Sequence, residues 1–392
     1  MIRKQIKKLI LNIVEKEMGV INPPAFSVEA PEDPRYGDYA TNVAMVLAKV
    51  LRKGSMEIAE VLARELEFKK WKVKVAKPGF INFYLDDNFL ISALENKIKN
   101  KKTFGKTNAG LGKTVLLDYF QLNIAKRPHI GHLRSAVIGD ALKRMFLLSG
   151  YKAVSDSHVG DWGTQFGILL LGFKEMKMSL KDKKILVDPF GVLEELYIKE
   201  NEKIEQDPKR REKAKLEFAR LEQGDKENRK IWKWMVDISM KNLKASASVL
   251  GLEEFDEHKG ESSYEKDMPK IVDLALNRRI AKEKEGAIVV DLSREGLDEA
   301  VLVKSDDAST YLLRDLATIL YRKKRWKFLE NLYIVDARQN HHFKQVFSVA
   351  EKLGFEGIGQ SKHIEFGAMS LPDGKISTRK GNTISLSRLL DE

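Results

Sequence analysis

Thr114-Val115-Leu116-Leu117-Asp118-Tyr119-Phe120, with Asn123-Ile124-Ala125-Lys126-Arg127-Pro128-His129-Ile130-Gly131-His132 close behind it, decides how this chain is read. The first stretch is almost continuously apolar, as a strand buried on both faces of a parallel sheet should be. Pro128 then suits the first turn of a helix. Leu133, Val137, Ala141, Met145 and Leu148 follow at helical spacing as the face expected to be buried, and Gly150 stops the run. Ala153-Val154-Ser155 reads as a second strand. Strand, helix, strand is a βαβ unit, so an α/β fold built on a doubly wound parallel sheet is expected.

Further along, residues 171–280 are mostly helical in pattern and highly charged. Lys209-Arg210-Arg211-Glu212-Lys213 is an example, best read as a solvated helix face. Strand-like pieces return at Ala287-Ile288-Val289-Val290 and Val301-Leu302-Val303. A helix over Tyr311–Tyr321, a buried strand at Leu332-Tyr333-Ile334-Val335 and a helix over His342–Leu353 come next. The long helical block, about 171–300, therefore reads as an insertion between two halves of one α/β domain over 108–392.

Upstream, residues 1–107 have a different grammar. Residues 2–18 form an amphipathic helix pattern, broken by Asn22-Pro23-Pro24. Tyr39–Lys53 and Met56–Leu66 read as two more helices. Val73–Ala76 and Phe80–Leu85 alternate as strands about Pro78-Gly79, and Lys97–Asn108 reads as a linker. A small α+β domain is expected here. Residues 1–110 hold 20 Lys and Arg against 13 Asp and Glu.

The whole chain of 392 residues carries a formal charge of +12. That excess favours a polyanionic partner, nucleic acid above a membrane surface, against the plainer reading of a Lys-rich solvated surface. There is no cysteine, which removes disulfide scaffolds, Cys-ligated zinc and thiol catalysis, and suits a reducing cytoplasm. No signal-peptide core opens the chain, and no apolar run reaches the roughly 18 residues of a membrane span.

Two segments carry chemistry. The one ending in His129-Ile130-Gly131-His132 lies between a buried strand and a helix N-terminus, where open α/β sheets bind ligands and where free N–H groups suit phosphate. Gly131 allows close approach of a flat ring. The two imidazoles can reach a phosphate; as metal ligands they lack a third partner nearby in sequence, and a purely structural pair is the other alternative. The second segment is Asp373-Gly374-Lys375-Ile376-Ser377-Thr378-Arg379-Lys380-Gly381-Asn382. Its cations and hydroxyls, framed by glycines, can fold around a triphosphate; a basic surface turn is the alternative.

Together these two segments resemble the signatures of class I aminoacyl-tRNA synthetases. Other stretches narrow the resemblance to the arginyl-tRNA synthetases. They are His158-Val159-Gly160-Asp161-Trp162-Gly163-Thr164-Gln165, Leu221-Glu222-Gln223-Gly224-Asp225, Trp232-Lys233-Trp234, Gly260-Glu261-Ser262-Ser263-Tyr264, Thr310-Tyr311-Leu312-Leu313-Arg314-Asp315 and Arg338-Gln339-Asn340-His341-His342. Gly37-Asp38-Tyr39-Ala40-Thr41-Asn42 and Pro78-Gly79-Phe80-Ile81-Asn82 are similar to that family's N-terminal domain, and the likeness covers nearly the whole chain.

The resemblance implies a Rossmann-like catalytic domain that makes arginyl-adenylate and pyrophosphate from L-arginine and ATP, then passes arginine to the 3′ end of tRNA(Arg). It assigns Asp118, Asn123, Tyr311, Asp315 and Gln339 to arginine. A guanidinium, with its flat fork of donors, does pair best with carboxylates. ATP falls to His129, Gly131, His132, Gly160, Asp161, Trp162, Lys375, Ser377 and Lys380, with His129, His132, Lys126 and Lys375 catalytic. Phe80 and Asn82 match contacts to the tRNA elbow. Mg²⁺ is expected to arrive with ATP, with no ligand named by the sequence. A monomer is expected.

Three departures stand out. Thr378 replaces a common lysine, whose charge Lys126 or Lys380 is placed to supply. Phe120-Gln121-Leu122 stands where small residues and a proline are usual, so the turn before Asn123 should differ in shape. The chain ends at Leu389-Leu390-Asp391-Glu392, where a helical anticodon-binding domain would follow, so that domain is expected to be absent. Two competing functions remain on this reading: a catalytically silent tRNA-binding fragment, and another adenylyl-transfer enzyme of the same superfamily.

Overall fold

The computed structural model describes residues 2–68, 71–306, 308–367, the short strands at 370–371 and 374–375, and residue 386. The chain divides into two compact units, Met1–Phe104 and Gly105–Glu392.

The first unit runs α1 (Ile2–Met18), β1 (Val28–Glu29), β2 (Tyr39–Thr41), α2 (Val43–Leu51), α3 (Ser55–Phe68), β3 (Lys72–Ala76), β4 (Phe80–Tyr84) and α4 (Asp87–Lys99). Its strands form an antiparallel sheet in the order β1-β2-β4-β3. Ile6, Ile10, Ile13 and Val14 of α1 join Leu47, Leu62, Ile81 and Phe83 in one core. Tyr39–Thr41, expected to be helical, is instead a strand. The Thr41 hydroxyl donates to the Ser27 carbonyl at 2.7 Å and Asn42 Oδ1 accepts from the Ser27 amide at 2.8 Å. Those ties hold the segment extended until α2 begins. Lys97–Lys99, expected in a linker, is the last turn of α4, whose start is capped by Asp86 accepting from the Asn88 amide.

The second unit is built on β5 (Thr114–Asp118), α5 (Ile130–Leu148) and β6 (Lys152–Asp156). A helical block follows: α6 (Thr164–Glu175), α7 (Lys183–Val187), α8 (Pro189–Gln206), α9 (Lys209–Glu222), α10 (Lys226–Val249) and α11 (Met268–Asn277). Then come a three-stranded antiparallel sheet of β7 (Ala281–Lys284), β8 (Ala287–Val290) and β9 (Ala300–Val303), and α12 (Tyr311–Trp326), β10 (Glu330–Asp336), α13 (Asn340–Lys352) and β11 (Ser361–Phe366). The main sheet is parallel throughout, in the order β11-β10-β5-β6. Leu332 and Ile334 of β10 join the core that holds Ala136 of α5. Tyr333 and Val335, one residue out of step, join the core of α12 and α13. The sheet is thus covered on both faces, as an α/β fold requires. The chain leaves β5 toward β6 on one side and β10 toward β11 on the other. The carboxyl ends of β5 and β10 therefore flank the point where ligands bind in such sheets.

The packing of α5 differs from the periodicity. Val137 and Met145 are each 54% exposed, and Leu148 is exposed too; the buried residues are Ser135, Ala136, Gly139, Asp140 and Lys143. Close packing decides this. A Cβ at Gly139 would lie 2.1 Å from the Tyr119 ring, so only glycine lets helix and strand approach here. The polar members of that face are each bonded. Ser135 Oγ donates to the Ile334 carbonyl and accepts from the Phe120 amide, and Lys143 reaches Ser155 and Asp256.

Candidate functional site

Strand β5 ends at Asp118, two residues earlier than expected, and the loop after it is strained. Phe120 and Ala125 have φ of 57° and 64°, the left-handed region that non-glycine residues avoid. Phe120 falls within the segment where an altered turn was expected. The loop delivers the chain to His129, which is the N-cap of α5 and not part of its first turn. His129 Nδ1 accepts from the Gly131 amide at 3.1 Å, and His132 Nδ1 accepts from the His129 amide at 3.1 Å. The rings sit 3.9 Å apart.

A ring nitrogen that accepts from an amide carries no proton, so in each neutral imidazole the proton sits on Nε2. Both rings are neutral at physiological pH. Burial, then the nearby Lys126 charge, pulls His129 down to about 4. Burial, then His129 itself, pulls His132 down to about 3. The pair therefore presents two uncharged Nε2–H donors at a helix N-terminus, an arrangement suited to anionic oxygen.

Both histidines line a cavity of about 730 Å³ at the carboxyl edge of β5 and β10. Of the residues assigned from sequence, Asn123, Gly131, Gly160, Tyr311, Asp315 and Gln339 also line it. Gly160 lies so near Asn123 that a Cβ there would be 2.6 Å from Asn123 Oδ1. Lys126 is not in the wall, but its charge acts on both histidines, and its ammonium lies 4.9 Å from the centre of the Tyr197 ring.

Four of the assigned side chains are buried. Asp118 is fully buried and outside the cavity, because strand alternation turns it toward α12. There Arg322 binds it at 2.6 Å and Asp156 at 2.9 Å. Asp161 is also buried, receiving the Ser262 amide and hydroxyl at 2.9 and 2.6 Å. Trp162 is fully buried between Phe218 and Trp232. Asp161 and Trp162 support the wall from behind and do not form it. In the first unit Asn82 is 4% exposed at the centre of its sheet, whereas Phe80 on the same strand is 37% exposed. Only Phe80 offers its side chain outward. Lys375 lies in a two-residue strand, Gly374–Lys375, paired with Ser370–Leu371. Ser377, Thr378 and Lys380 lie outside the described residues.

The cavity also holds residues that the sequence did not single out. Glu261 lines it, with Arg314 at 3.1 Å, and burial raises its carboxyl to about 7 against the opposing pull of Arg314. His342 lines it and bonds Asp315 at 2.6 Å; burial lowers this imidazole, but Asp315 outweighs burial and the net shift is upward. Gln121 and His158 line it too. Glu261 stood inside a quoted stretch, but an isolated acid beside Ser262 carries no signal of its own. Arg322 was hidden in Tyr321-Arg322-Lys323-Lys324-Arg325, which reads as a solvated face. Among the described residues no three His, Asp or Glu side chains gather as a metal site, and no described helix is long and apolar enough to cross a membrane.

With that geometry established, comparison with known proteins is direct. The family model for tRNA synthetases class I (R), catalytic domain, matches residues 93–392, and the arginyl tRNA synthetase N terminal domain model matches residues 1–85. An arginine–tRNA ligase of Halothermothrix orenii is 36% identical over 390 residues, covering 98% of this chain and 68% of its own. One from Lactococcus lactis subsp. cremoris is 37% identical over 366 residues, covering 93% and 64%. The chain thus spans about two thirds of the length of these curated relatives. Among solved structures, the arginyl-tRNA synthetase of Thermus thermophilus superposes with a TM-score of 0.70 at 22% identity, over 100% of this chain and 69% of that one. That of Plasmodium falciparum gives 0.69 at 23%, over 93% and 65%. At such identities the structures establish the shared fold. Taken with the two family models, the comparisons show that this chain belongs to the arginyl-tRNA synthetase family of class I aminoacyl-tRNA synthetases.

Proposed function

We propose that this chain activates L-arginine with ATP and transfers it to tRNA(Arg). One observation carries the proposal. A single cavity joins two neutral histidine donors at the N-terminus of α5 to the acids Glu261 and Asp315. The first pair suits a nucleotide phosphate and the second a guanidinium.

In the reaction, an oxygen of the arginine carboxylate attacks the α-phosphorus of ATP. The bond from that phosphorus to the bridging oxygen of the β-phosphate breaks, and pyrophosphate leaves with the electron pair. Such a displacement needs positioning and charge stabilisation more than covalent help. The Nε2–H groups of His129 and His132 donate to phosphate oxygens as charge develops, and Lys126 supplies the cation that Thr378 lacks. Lys375, Ser377 and Lys380 are assigned to the triphosphate on the strength of their motif. Gly131 and Gly160 leave room for the nucleotide. Asn123 and Gln339 are assigned to the α-amino and carboxylate end of arginine, Tyr311 and Asp315 to its guanidinium. Glu261 joins them on the strength of its place in the wall. In the second step a ribose hydroxyl of the terminal tRNA adenosine attacks the arginyl carbonyl, the bond from that carbon to the phosphate oxygen breaks, AMP departs with the electron pair, and the hydroxyl proton passes to the departing phosphate.

Mg²⁺ accompanies ATP as its counter-ion, and no step is assigned to a metal ligand of the chain. Phe80 offers a ring on which an unstacked base can lie. The absence of cysteine suits a cytoplasmic setting, and a monomer is the expected state.

The test is arginine-dependent exchange of pyrophosphate into ATP, run with and without saturating tRNA(Arg). Exchange that requires arginine supports the proposal. No exchange with saturating tRNA, alongside retained tRNA binding, would instead make this chain a tRNA-binding module.

A further inference from the structure

Helix α1 carries its cations where a helix least tolerates them. Arg3, Lys4, Lys7 and Lys8 are all exposed and crowd its amino-terminal half, and its first turn holds no acid. The amino end of a helix repels positive charge. Arg3 with Lys7, and Lys4 with Lys8, are moreover like charges one helical turn apart, which oppose each other. Among the described residues of the first unit, ion pairs join Arg35 to Asp33 and Lys53 to Glu57, and none involves α1. These cations therefore weaken the helix that bears them. Beside them opens a cleft of about 490 Å³. Lys7, Leu11 and Glu15, in line along α1, form one side of it. The loop after α1 forms the rest, with Ile21, Pro23 and Pro24, and Ile21 is 73% exposed. Phe26 lines it too, with its ring centre 5.3 Å from the Lys7 ammonium.

We infer that this face docks an acidic amphipathic helix of a partner protein, its apolar side chains in the cleft and its carboxylates on Arg3, Lys4, Lys7 and Lys8. Charge complementarity selects an acidic partner. Lys7 lines the cleft, Arg3, Lys4 and Lys8 lie within a helical turn of it, and Glu15 is the single acid in the lining. The cleft itself selects polypeptide over nucleic acid. Unstacked bases are held on exposed aromatic rings, whereas Phe26, the one aromatic in the lining, is 7% exposed. Aliphatic and proline surface beside cations suits leucine-like side chains spaced along one helix face, with acids flanking them. The face is also separate from the one that Phe80 offers. Helix α1 shares its core with Ile81 and Phe83, and strand alternation turns Phe80 the other way. A base lying on Phe80 and a helix docked on α1 therefore do not compete.

The experiment follows fluorescence anisotropy of a labelled peptide, with Leu along one helix face and Glu at the other positions, titrated with the full chain. A second peptide has the same composition with its leucines scattered around the helix, and a single-stranded RNA is the third probe. The patterned peptide should bind about tenfold more tightly than the scattered one, since only it can seat its leucines together. Leu11→Gln should weaken it by about tenfold through the cleft. Arg3→Glu combined with Lys4→Glu should weaken it by about tenfold through charge. That double variant sets acids at the amino end of α1, each one turn before a lysine, so its thermal midpoint should rise while affinity falls. A midpoint that falls would mean that the cations serve the fold, and would overturn the inference. So would failure of the patterned peptide to bind, equal binding of the scattered peptide, or RNA that binds more tightly than the peptide and is lost in the double variant.

Discussion

Arginine capture should weaken about tenfold between pH 8 and pH 6, and the reason is Glu261. Its carboxyl is raised to about 7, chiefly by burial, with Arg314 opposing. A guanidinium binds the carboxylate and not the carboxylic acid. At a pKa near 7 the ionised fraction is about nine tenths at pH 8 and about one tenth at pH 6, and the apparent Kd scales inversely with the competent fraction. The sign is fixed: protonation comes as pH falls through about 7, so affinity falls with it. His342 titrates in the same direction, because losing its charge as pH rises also favours a bound cation. Asp315, Asp161 and His158 are the other ionisable neighbours named in the balance at Glu261. Glu261→Gln separates the contributions, since it should bind arginine weakly at every pH and flatten the profile. The assay is equilibrium dialysis of labelled arginine, or calorimetry, from pH 6 to pH 8. A flat profile in the wild type would refute the reasoning, and so would a tenfold slope that survives in Glu261→Gln.

Three further outcomes are expected. Lys126→Ala should slow adenylate formation in single-turnover measurements far more than it weakens arginine binding; equal losses would show that the lysine does not serve the phosphates. Arg322→Met leaves Asp118 and Asp156 buried without their cation, and should cost roughly 3–5 kcal/mol at pH 7.5 by denaturant titration; no loss would mean that the pair is not held by Arg322. Gly139→Ala puts a methyl where the Tyr119 ring lies, and should lower stability by about 1–3 kcal/mol in thermal melts, whereas an unchanged midpoint would show that α5 is free to move off the sheet.

Much of the architecture was legible because burial on both faces leaves a strong mark. The run from Val115 to Leu117 and that from Leu332 to Val335 could hardly be anything but inner strands, and both are. The face of α5 was not legible. Apolar spacing marks a core only when apolar side chains do the packing, and here Gly139 and Ser135 bring helix and sheet closer than leucines would allow. Strand β2 was missed because its extended form depends on Ser27 and on pairing with β4, far away in sequence. In the site, the histidine segment announced itself through its place between strand and helix. The acids did not. Asp118 looked like a ligand because it ends the first catalytic strand, and only the distant Arg322 shows where its charge is spent. Glu261 depended on burial, which sequence does not display.

The two histidines at the start of α5 have each given Nδ1 to a backbone amide and keep their single proton at physiological pH. Attack by carboxylate and departure of pyrophosphate require no proton to move between them. On the proposed function, the chemical step is therefore indifferent to acid over the range a cell experiences, while capture of the amino acid is not. A modest fall in internal pH would starve this enzyme without disabling it. A larger arginine pool alone would restore its rate, so the supply of charged tRNA under acid stress becomes a question of nutrient level and not of enzyme amount.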